Sequence, residues 1–264
     1  MTAVGASFAL SALLYAGACA AFFVNLARGS KPSATWATRL LASAMAAHAG
    51  YLVSDYAISG RHPLESIQQT LAVLSLLIAL AYLSTMRRHG MTAIGAFITP
   101  VTLLMLLGAG LRSSLPPVPE HVRSALLPLH VAMNVLGLAA FTLAFAAAVG
   151  YVIQERLLRT KHVVGVFQRL PALEVLDALG GRFVTIGFPM FTLGLMLGVV
   201  WAAKQSALSA AQGFAMLAWL FFGIVLLTRA IAGWNGRRAA IGTMLGFLCA
   251  MAALGGYLLR GLGG

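Results

Sequence analysis

Apolar residues in this chain occur in continuous runs, and each run ends at a charged residue, a proline or a glycine. A helix of roughly twenty apolar residues can cross the hydrocarbon core of a bilayer, whereas membrane barrel strands are shorter and alternate apolar with polar residues. The pattern therefore predicts an all-α fold, a polytopic membrane helix bundle with about eight transmembrane helices in a single domain. The predicted spans lie at about 5–27, 36–57, 67–86, 91–111, 125–155, 181–203, 212–232 and 238–260.

The composition indicates that lipid is the solvent of this chain. Of its residues 60% are hydrophobic and only 9% are charged, so a water-soluble domain of this composition would expose large apolar patches. In a bilayer, helices satisfy their backbone N–H and C=O groups internally. We therefore expect the lipid bilayer to be a partner of this protein.

Basic residues are distributed unevenly between alternate connectors, which predicts the orientation of the bundle. The connectors after the first, third, fifth and seventh spans hold thirteen of the eighteen Lys and Arg residues, and the positive-inside bias places them in the cytoplasm. Both chain ends are then outside. The net charge of +12 is spread over short connectors instead of one basic face, so no nucleic-acid partner is predicted. The thirteen residues are Arg28, Lys31, Arg39, Arg87, Arg88, Arg156, Arg159, Lys161, Arg169, Arg182, Arg229, Arg237 and Arg238.

A cytoplasmic segment at about 163–180 has an amphipathic pattern. Val166, Leu170, Leu173 and Leu176 recur at helical spacing among charged residues. This pattern predicts a short helix on the inner membrane surface, and it suits a binding site for a partner equally well.

Two pairs of glycines have the spacing that lets membrane helices approach closely. Gly194 and Gly198, and likewise Gly242 and Gly246, are one helical turn apart. Such pairs are frequent in a chain with 28 glycines. They predict helix packing and carry no functional assignment.

Two histidines inside the predicted spans are the candidate cofactor ligands. His48 lies in the second span and His130 near the outer end of the fifth, with Asn134 four residues later on the same helix face. Two imidazoles from facing helices can fill both axial positions of a haem iron, and an apolar bundle supplies the walls. His130 and His48 are therefore axial-ligand candidates for haem b. The alternative is that each histidine only hydrogen-bonds a neighbouring helix.

Of the four tryptophans, Trp219 is the one placed well inside a span, which makes it a candidate pocket residue. The others fall near span ends, where indole rings favour the headgroup region. No group of residues resembles a hydrolytic triad, a phosphate loop or a zinc cluster, so no catalytic residue is assigned.

Five segments of the chain resemble, in the same order, the cytochrome c assembly family of haem-handling membrane proteins, of the CcsA and HemX type. The resemblance extends over essentially the whole chain. The five segments are His62–Ser66, His130–His162, Leu170–Asp177, Gly187–Ala202 and Gly233–Ala240.

The resemblance implies roles for both histidines and also shows departures from the family. His130 occupies the position of an outer-face histidine that ligates haem in the lyase branch, and His48 resembles a second-span histidine of the eight-span members. The Trp-rich outward segment of the lyases is absent at Trp201–Ala207, and Leu227 stands where the lyases have a histidine. Their outer-face histidine after the last span has no counterpart either. These departures favour the short HemX-like branch and do not predict lyase activity.

The resulting prediction is a haem-binding, multi-pass protein of the bacterial inner membrane. It would act in cytochrome c assembly or haem homeostasis, with other cytochrome c maturation proteins as possible partners. The alternative is a non-catalytic scaffold whose connector 156–182 regulates a haem-biosynthetic enzyme such as glutamyl-tRNA reductase. A transporter is disfavoured because the spans contain almost no charged coupling residues.

Overall fold

The computed structural model describes residues 3–60, 63–64, 66–89, 91–111, 126–161, 164–202 and 209–260. Within these ranges the chain forms eight long helices and one short helix, without any strand. A turn of 3-10 helix, Thr92–Ile94, leads into the fourth helix. The helices are α1 (Ala3–Arg28), α2 (Lys31–Ser59), α3 (Ile67–His89), α4 (Gly95–Ala109), α5 (Leu126–Arg159), α6 (Val166–Arg169), α7 (Leu173–Ala202), α8 (Ala210–Ala232) and α9 (Arg237–Arg260).

The predicted all-α polytopic bundle is confirmed, with one helix less apolar than the others. Seven of the long helices are long and apolar enough to cross a membrane, counting the turn before α4 as part of it. The exception is α2, which has 29 residues but carries Lys31, Arg39, His48 and Asp55. It packs along α1 and buries one face against it. Together with the seven apolar helices, α2 makes eight long helices, which agrees with the prediction of about eight transmembrane helices.

The segment 163–180 does not form one surface helix. The single turn of α6 ends at Arg169, and Leu170 is extended, with φ −74° and ψ 144°. The cause is Pro171, because a proline disfavours helical geometry in the residue before it. The residues from Leu173 onward belong to α7 and continue without a break into the predicted sixth span. The position of this segment at the membrane surface stays a prediction.

The inner ends of three helices are joined by one partly buried ion pair. We call the end of the bundle where α5 begins and α9 ends the outer end, and the opposite end the inner end. At the inner end, the Arg229 guanidinium of α8 lies 2.5 Å from the Asp177 carboxylate of α7. The N–H of Gly236, in the connector to α9, donates to the same carboxylate at 2.9 Å. Two of the segments that carry the family resemblance therefore meet here, and we call this contact the inner latch.

Helix α5 runs through the centre of the bundle, and α7 lies close along it. A Cβ atom built on Gly187 of α7 would lie 2.8 Å from the Phe141 ring of α5, closer than such atoms approach in proteins. The Phe141 ring stacks on Phe222 of α8, with ring centroids 3.6 Å apart, and meets Phe191 of α7 edge-on at 5.5 Å. These three phenylalanines fill the middle of the bundle, so the space above them is separated from the inner end.

Candidate functional site

A cavity of about 420 Å³ lies above the three phenylalanines at the outer end. Its walls come from α3, α5, α7, α8 and α9, and they are mostly apolar. The volume lies within the range of roughly 300 to 1,000 Å³ that small-molecule and cofactor sites occupy. The polar residues of the lining are Ser66, Thr70, His130, Asn134 and Tyr257.

His130 enters this lining from the second turn of α5. Its Nδ1 lies 2.7 Å from the backbone oxygen of Gly194 on α7. Because a carbonyl oxygen only accepts hydrogen bonds, this contact assigns the ring proton to Nδ1 and the lone pair to Nε2. A neutral imidazole of this form can ligate a metal through Nε2, and a second hydrogen bond of this kind is common in histidines that bind metals.

Asn134 lies one turn after His130 and contacts the same part of α7. Its Nδ2 donates to the backbone oxygen of His130 at 2.8 Å and lies 3.4 and 3.5 Å from the two ring nitrogens. The pairing expected from their four-residue spacing is therefore present in the structure. Asn134 supports the position of the imidazole, and it also lines the cavity.

His48 lies in a different part of the bundle, between α1 and α2. It is fully buried, and its Nδ1 lies 3.4 Å from the Tyr15 hydroxyl, with the two rings packed edge to face. Its Nε2 has no hydrogen-bond partner within the described part of the chain. His48 is not among the described residues that line the cavity. The structure therefore does not bring the two predicted axial ligands to one cavity.

Trp219 also lies outside the cavity lining, so its predicted place in a pocket does not apply to this cavity. Its indole nitrogen donates to the Thr192 hydroxyl of α7 at 3.0 Å, and its ring stacks on Phe188. The side chain is 39% exposed on the surface of the bundle.

Sequence reasoning missed the part that α7 plays in this site. Gly194 and Gly198 were assigned to helix packing alone, but they lie directly against Asn134 and His130. A signal was available. Gly194 and Gly198 have a spacing of four residues, as do His130 and Asn134, and the predicted helices that carry the two pairs follow one another in the chain. Ser66 belongs to the His62–Ser66 segment that resembles the family, whereas the lining residues Thr70 and Tyr257 carry no distinguishing sequence signal.

Comparison with known proteins places the chain among proteins of cytochrome c assembly. The model of the family described as "Cytochrome C assembly protein" matches residues 62–261. The cytochrome c biogenesis protein CcsA of Parasynechococcus marenigrum (strain WH8102) is 28% identical over 236 aligned residues, which cover 78% of this chain and 77% of the relative. No solved structure matches the chain.

Two further relatives carry the same name. CcsA of Prochlorococcus marinus (strain MIT 9303) is 27% identical over 261 aligned residues, covering 86% of this chain and 82% of the relative. CcsA of Chlamydomonas reinhardtii is 29% identical over 205 residues, covering 72% of this chain and 56% of the relative. The relatives come from both bacteria and an alga. The connector 203–208, where the Trp-rich lyase segment is missing from the sequence, lies outside the described residues.

Proposed function

The chain belongs to the cytochrome c assembly protein family, and we propose that it binds haem in the outer cavity with His130 as the axial ligand. It is a multi-pass membrane protein of cytochrome c biogenesis. The finer proposal is a role in cytochrome c assembly or haem homeostasis in a bacterial inner membrane, with haem b as the ligand.

One observation carries the proposal. The His130 imidazole, with its proton on Nδ1, lines an apolar cavity of cofactor size. The hydrogen bond to Gly194 places the ring proton on Nδ1, and Nε2 is then the nitrogen that carries the lone pair with which an imidazole coordinates iron. The apolar walls suit a porphyrin face, because burying apolar surface is favourable and requires no polar partners. Ser66, Thr70 and Tyr257 line the same cavity with hydroxyl-bearing side chains, which would face the polar edge of the ligand.

The residues present fit haem with a single protein ligand. His130 would hold the iron through Nε2, Asn134 and Gly194 would orient the imidazole, and the apolar lining would keep water from one face of the ligand. Haem bound here would supply a redox-active iron. His48 is assigned a structural role in this proposal, because it hydrogen-bonds Tyr15 away from the cavity lining.

The proposal is tested by filling the cavity. Ala253 of α9 lines it and is 6% exposed, whereas its neighbour Ala252 is exposed on the outer surface of the same helix. Ala253→Leu should reduce haem content in protein purified from haem-replete cells, because the added side chain occupies the ligand's space. Ala252→Leu is the matched control and should keep wild-type haem content, measured by absorbance in the Soret region.

Two results would overturn the haem proposal. One is a colourless wild-type protein that also fails to take up haem on titration. The other is an equal loss of haem in both alanine variants, since that would indicate damage to α9 and not occupation of the cavity.

We also infer a second candidate function, a scaffold that regulates a haem-biosynthetic enzyme through the connector 156–182. The observation that favours it is the fixed position of this connector on the bundle. Arg169 donates to the backbone oxygen of Leu26 at 2.6 Å, and Gln154 donates to that of Phe167 at 3.2 Å. These bonds hold the connector in place while Val164 remains 70% exposed. Val164→Asp should then alter the abundance of glutamyl-tRNA reductase, whereas a change at His130 should not.

A further inference from the structure

Two glycines of α7 occupy the positions opposite the two polar residues of α5. A Cβ atom on Gly198 would lie 2.8 Å from Cε1 and 3.3 Å from Nδ1 of His130. A Cβ atom on Gly194 would lie 2.6 to 2.7 Å from three side-chain atoms of Asn134. Real Cβ atoms essentially never approach other atoms within 3.0 Å. The imidazole and the amide therefore occupy space that any side chain at these two positions would fill.

The same close approach provides the hydrogen bond to the imidazole. The Gly194 carbonyl lies within 2.7 Å of His130 Nδ1 because no side chain separates the backbone of α7 from the ring. Inside a helix this oxygen also accepts the N–H of the residue four positions later, which is Gly198. A carbonyl has two lone pairs, so it can accept from both. One helical turn of α7 thus supplies both the space for the ring and its hydrogen-bond acceptor.

Among the other close glycines in the described part of α7 and α9, Gly181 lies against the Arg229 guanidinium of the inner latch, and the following three lie against apolar groups. Gly187 meets Phe141, Gly242 meets Val225, and Gly246 meets Phe222. These three glycines serve helix packing alone. The contrast singles out Gly194 and Gly198, whose neighbours are a potential metal ligand and its supporting amide.

We propose that Gly194 and Gly198 are positioning residues that hold His130 as the Nδ1-protonated tautomer and so select Nε2 as its metal-binding nitrogen. This inference rests on the proposed haem function and deepens it. A side chain at Gly198 pushes the ring away from α7 and breaks the bond to the Gly194 carbonyl. The imidazole then loses both its fixed orientation and the preference for one tautomer.

The first experiment reads the tautomer in the haem-free protein. The full chain is labelled with ¹⁵N-histidine, and the His130 signals are identified by their loss in His130→Ala. The wild type should show a protonated Nδ1 and an unprotonated Nε2. Gly198→Ala should shift the signals toward a mixture of tautomers. Gly187→Ala is the matched control, because it crowds α5 from the same helix without reaching His130, and it should leave the His130 signals unchanged.

The second experiment measures haem affinity and reduction potential in the same proteins. Gly198→Ala should weaken haem binding about tenfold or more, the usual effect of removing a partner that orients a metal-binding histidine. Its reduction potential should also shift relative to that of Gly187→Ala. Gly213→Ala, where nothing lies within 4 Å of the added methyl group, should behave as wild type.

The outcomes separate this inference from the haem proposal. A wild-type His130 protonated at Nε2 overturns the positioning role, and this result does not depend on any variant folding. Equal effects of Gly198→Ala and Gly187→Ala on the tautomer also overturn it. A Nδ1-protonated ring that responds only to Gly198→Ala, in a protein that binds no haem, supports the positioning role and overturns the haem assignment.

Discussion

The outer and inner ends of the same helices differ in how tightly they are joined. At the outer end, α5, α7, α8 and α9 enclose a cavity of about 420 Å³. At the inner end, a cavity lined by α3, α4, α5, α7 and the turn before α4 has a volume of only about 20 Å³, enough for a single water molecule. The inner latch between Asp177, Arg229 and Gly236 joins the inner ends of α7, α8 and α9. Ligand space therefore opens at the end away from the latch.

The difference also appears in the kind of residue that joins the helices. Charged groups meet at the inner end, where both members of the Asp177–Arg229 pair are less than one-fifth exposed. At the outer end, helix contact depends on glycines and on the uncharged pair His130 and Asn134. The charge pair links α7 to α8 at the inner end, while the outer end has a neutral imidazole, the form of histidine that binds a metal.

Breaking the inner latch should have the largest effect on stability. Asp177→Ala leaves the Arg229 charge and the Gly236 N–H without their shared acceptor, and we expect a loss of about 3 kcal/mol in the free energy of unfolding. Thermal unfolding of the detergent-solubilised protein measures this change. Below its lowered unfolding temperature, the variant should still bind haem. Loss of haem binding in the folded variant would show that the inner latch also affects the haem site at the outer end.

Removing the Tyr15 hydroxyl should have a smaller effect. In Tyr15→Phe, the buried Nδ1 of His48 loses its partner, and hydrogen bonds between membrane helices contribute about 0.6 to 1 kcal/mol. We expect a loss of that size in thermal unfolding, with unchanged haem content. A marked fall in haem content would assign His48 to the ligand site instead of the α1–α2 contact.

The exposed ion pair on α5 should contribute least, and it provides the matched contrast to the inner latch. Arg159 pairs with Glu155 one turn earlier at 2.8 Å, and its side chain is 68% exposed, whereas Glu155 is 14% exposed and also lies 3.8 Å from Arg237. Water screens the exposed guanidinium, so Arg159→Gln should cost about 0.5 kcal/mol or less. An effect as large as that of Asp177→Ala in the same assay would contradict the distinction between buried and exposed charge.

The sequence was sufficient for the elements that depend on local pattern. Long apolar runs predicted the helices, and the four-residue spacing of His130 and Asn134 predicted their shared face. The break before α7 was missed because Pro171 acts on the geometry of Leu170, while the hydrophobic periodicity continues through it. Apolar periodicity thus located helices better than it located their ends.

The partners of each helix were harder to predict, because in lipid every apolar face can pack against another. His48 and His130 both suited an interior position, but nothing in the sequence separates the α1–α2 contact of His48 from the α5–α7 contact of His130. The close contacts of Gly194 with Asn134 and of Gly198 with His130 likewise depend on which helix lies opposite α7. Family resemblance supplied the functional class, and the geometry separated the two histidines.

The most direct measurement compares the haem spectra of two single variants purified from the same haem-replete cells. His130→Ala should abolish the Soret absorbance, because it removes the ligand inside the cavity. His48→Ala should keep it, because His48 lies outside the described lining of that cavity. Loss of the band in His48→Ala with its retention in His130→Ala, or equal loss in both, would contradict a site built on His130 alone.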